Sequence, residues 1–376
     1  MPSSILHSDS GFGGRLPKLA LSLVGVAAMT LLATAAYTLW LNPEIRFYLY
    51  AAKVKRAWAE KLHKEYGRAI VAFGASSCAF AIDGERMLEK HGLPVVNFGM
   101  HAGMEPLFLT ALAVESTRPG DTLVVAIEPG LLLSPFDSPD LAAQMGMALG
   151  NPRLVHASDL TGEPVHWVQN VLSLRPGAYH FFTLLGKIVL GKPLYRYSPK
   201  DLRPSGWQQT DERREIHDQE PFIVESLPEH SRRLLASLAR WADTNNVRVV
   251  YSLPWGWVSD ARLDQFKRMN ASFLRHVAEF MPVLKDPALG AHPVRHHFAD
   301  TEWHLTAEGA AERTDALAAE LKAGVYWTIA ELDAIVGDER SRQSSGKGAP
   351  LQAILDEIEQ EQTVITHIPP QQPARF

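Results

Sequence analysis

Five short apolar runs, each bounded by turn residues and separated by helical patterns, constrain the fold of this 376-residue chain most strongly. They are 69–74 (Ala-Ile-Val-Ala-Phe-Gly), 94–99, 122–127, 247–253 and 282–285. Their continuous apolarity fits strands buried on both faces, as a parallel sheet requires. Spacing predicts helices over 78–91, 105–117, 228–245, 260–280 and 307–322, with Pro119-Gly120 and Asn245-Asn246 as breaks. The alternation predicts an α/β fold: a doubly wound, mainly parallel five-stranded sheet with helices on both faces. Such sheets bind ligands beyond the carboxyl ends of their strands.

Ahead of this domain, Leu19 to Pro43 contains no charged residue. The run is long enough to cross a bilayer as a helix. Arg15 and Lys18 precede it, and Tyr37 and Trp40 stand at interfacial positions. Ala33-Thr34-Ala35 resembles a signal-peptide cleavage site, but the apolar run continues through Leu39, Trp40 and Leu41, which favours a retained anchor. Basic residues also follow the span (Arg46, Lys53, Lys55, Arg56), so their count does not set its orientation. The chain thus divides into a tail (1–18), a transmembrane anchor (19–41), a juxtamembrane helix (42–66), a main domain (67–325) and a C-terminal helix, linker and tail (326–376). The juxtamembrane helix reads equally as lying on lipid headgroups or as a connector packed on the domain.

The main domain is interrupted at 129–227 by an insertion with an apolar segment, 178–190, too short to span a bilayer. That segment reads as a packed helix, with a membrane- or partner-facing lid as the alternative. After Gly337, a polar linker leads to Leu351, Ile354, Leu355 and Ile358 at helical spacing. A net charge of −5 and the lack of an arginine–aromatic stripe argue against a nucleic-acid partner. Cys78 is the only cysteine, which rules out an intramolecular disulfide, and it reads as a small buried residue.

Chemistry concentrates in two stretches. Gly74-Ala75-Ser76-Ser77 follows the first strand and precedes a helix, where glycine permits a tight turn and a serine hydroxyl can be presented. The same serines serve equally well as helix caps. Asp300-Thr301-Glu302-Trp303-His304 brings a carboxylate and an imidazole together, with Thr306 and Glu308 suited to start the next helix. A serine needs a base, itself oriented by a third group, to act as a nucleophile. His296, His297 and His304 lack a recognised metal-ligand spacing, and neither a metal nor a cofactor is expected.

Over roughly 67–322, the order of these motifs resembles the SGNH/GDSL hydrolase superfamily, with its serine after the first strand and Asp plus His after the last. Gly74-Ala75-Ser76-Ser77 is similar to the membrane-anchored branch, which carries Gly-x-Ser-Ser and includes proteins of alginate acetylation and teichoic-acid D-alanylation. The resemblance implies a flavodoxin-like strand order and a domain outside the cytoplasmic membrane. It further implies serine O-acyl esterase or acyltransferase activity on an acylated envelope glycan, beside a membrane-bound O-acyltransferase partner. Ser76, His304 and Asp300 would be catalytic. Asn97-Phe98-Gly99-Met100-His101-Ala102-Gly103 resembles the second family block, so the N–H groups of Ser76, Gly99 and Gly103 would form the oxyanion hole. Ser77, Asn97, His101 and Glu128 are further candidate substrate contacts. The chain departs from the family in its Asp-x-x-x-His spacing and in Ala126-Ile127-Glu128-Pro129-Gly130, which stands in place of Gly-x-Asn-Asp. A non-catalytic scaffold that binds glycan or organises an acylation complex is the alternative reading.

Overall fold

The computed structural model describes residues 15–134, 140–150, 178–210 and 212–337. Helix α1 (Arg15–Ala36) continues into a π turn, Tyr37–Leu41. The stretch Pro17–Leu41 is long and apolar enough to cross a membrane or to serve as a signal sequence, and Leu21, Val26 and Leu32 project from it exposed.

Helix α2 (Pro43–Tyr66) starts where Asn42 accepts the Glu44 N–H and Pro43 occupies the first helical position. It ends at Gly67, whose φ of 72° is the left-handed geometry of a helix C-cap. Of its two sequence readings, the structure supports the packed connector. Ile45, Tyr48, Ala52, Trp58 and Leu62 are buried in the main core. Lys55 is buried as well. Its Nζ donates to the Asn97 carbonyl at 2.7 Å and the Gly206 carbonyl at 2.5 Å. Desolvation pushes the Lys55 pKa down to about 7. Two carbonyl acceptors match the two N–H bonds of a neutral amine.

The sheet has four parallel strands, β1 (Ile70–Phe73), β2 (Val95–Asn97), β3 (Thr122–Val125) and β4 (Arg248–Tyr251), in the order β2-β1-β3-β4. Register pairs Val71 with Val96 and Leu123, and Leu123 with Val249. Side chains alternate between faces, as a period of two demands. Val71, Phe73, Leu123 and Val125 join α2 and three further helices, α5 (Glu105–Val114), α9 (Glu229–Thr244) and α10 (Leu263–Val277). Ala72, Val124 and Val250 face α3 (Ser76–Ala81), α4 (Gly84–His91) and α11 (Ala307–Ala323). Both faces are therefore covered.

The expected fifth strand, 282–285, is reduced to two isolated bridges, a parallel one between Tyr251 and Val283 and an antiparallel one between Leu284 and Tyr326. Pro282 contributes only its carbonyl, accepting the Tyr251 N–H at 2.8 Å, and the chain turns away at Asp286-Pro287. A separate parallel pair, β5 (Gly256–Trp257) with β6 (Ala291–His292), had no counterpart in the sequence reading. Two residues are too few to show a pattern.

The insertion opens with α6 (Pro129–Leu133) and includes α7 (Asp140–Ala148), which packs on α2 and the π turn. The expected helix over the apolar segment is α8 (Ala178–Val189). It is not packed as expected. Phe182, Ile188 and Val189 are exposed, as is Leu190 just beyond. Residues 205–208 instead line the free edge of β2, where the Ser205 carbonyl accepts the Asn97 N–H at 2.9 Å. After α11 comes α12 (Ile329–Gly337), which packs on α10. The expected helix around Leu351–Ile358 lies outside the described residues.

Lys55 gives the fold a pH signature. Between pH 7 and 10.5 the unfolded lysine carries a proton that the folded one lacks, so stability rises with pH across that window. Lys55→Met removes the slope. Urea unfolding of the two proteins at pH 7 and 9 should shift their stability difference by about 2 kcal/mol in favour of wild type at the higher pH.

Candidate functional site

The turn after β1 is forced by close packing. A Cβ on Gly74 would sit 1.9 Å from the Ala126 carbonyl oxygen, so only glycine lets the chain pass the end of β3 there. Ala75 is the cap of α3 and Ser76 its first residue, with no side-chain cap hydrogen bond. The capping alternative for Ser76 is therefore not realised. Ser76 is half-buried, and its hydroxyl makes no hydrogen bond among the described residues. Ser77 is buried and donates its hydroxyl to Glu128 Oε2 at 2.5 Å. Burial pushes the Glu128 carboxyl above the usual range, and the Ser77 hydroxyl and the charge of His304 partly offset this.

Asn97, the last residue of β2, holds α3 in place. Its Nδ2 donates to the carbonyls of Cys78 at 2.9 Å, Ile82 at 2.8 Å and Ala79 at 3.2 Å, while Oδ1 accepts the Gly99 N–H at 2.8 Å. Gly99 allows this approach, since a Cβ there would lie 2.2 Å from the Ala79 nitrogen. Cys78 lies beneath, buried, its thiol pushed up to about 12 by desolvation, which leaves it inert as a nucleophile.

The second half of the site is a loop closed by an antiparallel bridge between Phe298 and Leu305. The Ala299 N–H donates to the His304 carbonyl at 2.8 Å, and Thr306 caps α11. Within the loop His304 Nδ1 meets Asp300 Oδ1 at 2.9 Å, so the expected carboxylate–imidazole pair forms. The one-residue longer spacing is accommodated because Thr301 turns the loop, its hydroxyl accepting the His304 N–H at 3.1 Å. The other Asp300 oxygen accepts from the Arg196 guanidinium. Burial would raise the Asp300 carboxyl, but His304 and Arg196 outweigh it and hold the pKa below the usual value. Arg196 is itself braced by Glu212 at 2.7 Å.

α3 meets His304 through Phe80. The Phe80 ring, one helical turn after Ser76, lies 4.4 Å from the His304 ring between centroids. His101 approaches from the β2 side, its pKa lowered by burial and by the positive charge that His304 can carry. Its ring meets Tyr48 of α2 edge-on at 5.9 Å. Ser76, His101, Glu128, Asp300 and His304 therefore converge beyond the carboxyl ends of β1, β2 and β3.

Several sequence assignments need correction. The Gly99 N–H is spent on Asn97, and the Gly103 N–H is donated to His101 Nδ1 at 2.9 Å, so neither points freely at an oxyanion. Asn97 is fully buried and bonded throughout, and Ser77 is committed to Glu128; neither is open to substrate. Sequence reasoning missed Arg196, Glu212 and Phe80. The one signal available was Tyr195-Arg196-Tyr197, an arginine between two aromatics in the insertion, where Arg196 lies over the Tyr197 ring at 5.5 Å. Metal-capable clusters lie beside the loop, in the sets His292, His297, Glu312 and His296, His297, Glu308. His304 belongs to neither.

No family model, curated protein or solved structure matches this chain.

Two measurements test this construction. Asn97→Ala removes the side-chain partner of the Cys78 and Ile82 carbonyls and of the Gly99 N–H, while the Ala79 carbonyl keeps the Gln208 N–H at 2.9 Å, and should destabilise the domain by about 3 kcal/mol in urea unfolding. Asp300, with a depressed pKa, contributes stability above its unfolded value near 3.8 that is lost as pH falls through the lower folded value. Asp300→Asn should therefore flatten the loss of stability below pH 4, read as the melting temperature against pH.

Proposed function

We propose that this chain is an SGNH-like serine O-acyl esterase or acyltransferase, anchored in the cytoplasmic membrane by α1 with its domain outside the cytoplasm. Its substrate would be an acylated cell-envelope or exopolysaccharide glycan, and its partner a membrane-bound O-acyltransferase. The observation that carries the chemistry is the buried Asp300–His304 hydrogen bond, with the His304 ring tilted against Phe80, which lies one turn after Ser76 on α3.

The reaction follows from the roles these groups can play. Ser76 Oγ attacks the acyl carbonyl while His304 Nε2 takes its proton, and Asp300, accepting from Nδ1, fixes the tautomer and balances the imidazolium. Collapse of the tetrahedral intermediate expels the sugar oxygen, which receives the proton from His304, and leaves an acyl-serine. Water or a second sugar hydroxyl then attacks the acyl-serine, giving its proton to His304, and collapse of this second tetrahedral intermediate breaks the Ser76–acyl bond as His304 returns the proton to Ser76 Oγ. With the Gly99 and Gly103 N–H groups engaged, the Ser76 N–H is the remaining backbone donor of the expected set. Arg196 offsets the burial of Asp300 and so keeps it ionised.

The second reading, a non-catalytic scaffold that binds glycan, is favoured by one observation: both expected oxyanion glycines have spent their N–H groups. A fluorophosphonate probe separates the two readings. Labelling of the wild type and its loss in Ser76→Ala support catalysis, while an unlabelled wild type supports the scaffold. In p-nitrophenyl acetate hydrolysis, Asp300→Asn should lower kcat by about 10³–10⁴-fold. Full esterase activity in Ser76→Ala overturns the assignment of the nucleophile.

A further inference from the structure

We propose that His292, His297 and Glu312 form a binding site for one divalent transition-metal ion, with zinc the favoured occupant. The three come from different elements: His292 from β6, His297 from the turn before the Asp300–His304 loop, and Glu312 from α11. Their ligand atoms all lie within 4.8 Å of one another. His292 Nε2 and His297 Nδ1 are 2.8 Å apart, and His297 Nδ1 and Glu312 Oε2 are 3.3 Å apart.

Zinc with nitrogen and oxygen ligands at about 2.0–2.2 Å sets neighbouring tetrahedral ligands roughly 3.3–3.5 Å apart. The His297–Glu312 distance already matches, and the two imidazoles need to part by only about half an ångström. Two imidazoles and one carboxylate are a donor set suited to first-row ions rather than magnesium or calcium, and they leave a coordination position for water.

The surroundings favour a built site. Both histidines are buried, and His292 stacks on Trp255 at 4.3 Å with the planes 11° apart, which fixes its ring. Glu312 stands at the exposed rim, where an ion can enter. The second cluster, His296, His297 and Glu308, is looser. Its Glu308 contacts are 3.8 and 3.9 Å, and both His296 and Glu308 are exposed. Sequence spacing could not reveal the set, since His292 and His297 are five apart and Glu312 is fifteen further on.

An ion here would tie together the two ends of the loop that carries Asp300 and His304. The Thr306 N–H already donates to the His297 carbonyl at 2.8 Å, so His297 bridges the start of the loop and the start of α11. None of its ligands is a group assigned to the reacting atoms, so the ion would act by stiffening the loop.

The test uses full-length protein without a histidine tag, in detergent micelles and stripped with chelator. Zinc titration by calorimetry should show one ion per chain and a raised melting temperature. Cobalt should give ligand-field absorption at the same stoichiometry. Glu312→Gln, at an exposed position that does not threaten folding, should weaken zinc binding by at least about tenfold. Glu308→Gln should leave it unchanged. Absence of saturable zinc binding, binding indifferent to Glu312→Gln, or equal loss in Glu308→Gln each overturns the assignment.

Discussion

The site depends on one buried amide. Asn97 uses its side chain to tie the carbonyls of α3 to the end of β2, and its backbone to hold Lys55 and the insertion. A buried polar group is tolerable only when its hydrogen-bonding capacity is met, and here both backbone groups and both side-chain polar atoms have partners. α3 carries Ser76 at one end and Phe80 a turn later, so the amide sets the position of the hydroxyl and of the ring that supports His304. It also links that arrangement to α2. The helix that follows the apolar N-terminal segment is therefore as much a part of the domain as the strands.

Electrostatics in the second half of the site follow a similar logic. Asp300 is buried, which alone would favour its neutral form, and both of its oxygens accept charge-assisted hydrogen bonds. One partner comes from the same loop and the other, Arg196, from the insertion. The insertion is thus not simply an appendage to the sheet, because removing it would leave half of a buried carboxylate uncompensated. Glu128 differs. Its carboxylate accepts from the neutral Ser77 hydroxyl, and burial displaces it toward the protonated form. Two buried carboxyls are thus shifted in opposite directions by their surroundings.

The strands were legible because burial on both faces writes a continuous apolar run, and four of the five runs became sheet strands. The fifth failed to become a sheet strand because Pro282 and Pro287 bracket it, leaving only isolated bridges to Tyr251 and Tyr326. Ser76, Asp300 and His304 were legible as residue types placed after strand ends. What could not be read was how their neighbours spend hydrogen bonds. Gly99 and Gly103 match a pattern of free N–H donors, yet each N–H is taken by a side chain two residues earlier. Asn97 looked like a substrate contact because polar residues in such blocks often face a ligand; only its 0% exposure shows it to be structural. Arg196 escaped because its meaning lies in a contact across 104 residues.

The contacts that span the longest stretches of chain also set a clock. Lys55 waits for Gly206, and Asp83 at the start of α4 bonds to Thr314 in α11, 231 positions later. A ribosome adds about 5–20 residues per second, so roughly 10–50 s separate the appearance of α4 from that of the helix that completes it. Throughout that interval the apolar faces of β1 and β2 have no α11 to cover them. The nascent chain must stay shielded until α11 emerges, and a chain truncated before α11 would still carry Asp300 and His304 but lack the helix that follows their loop and covers that face of the sheet.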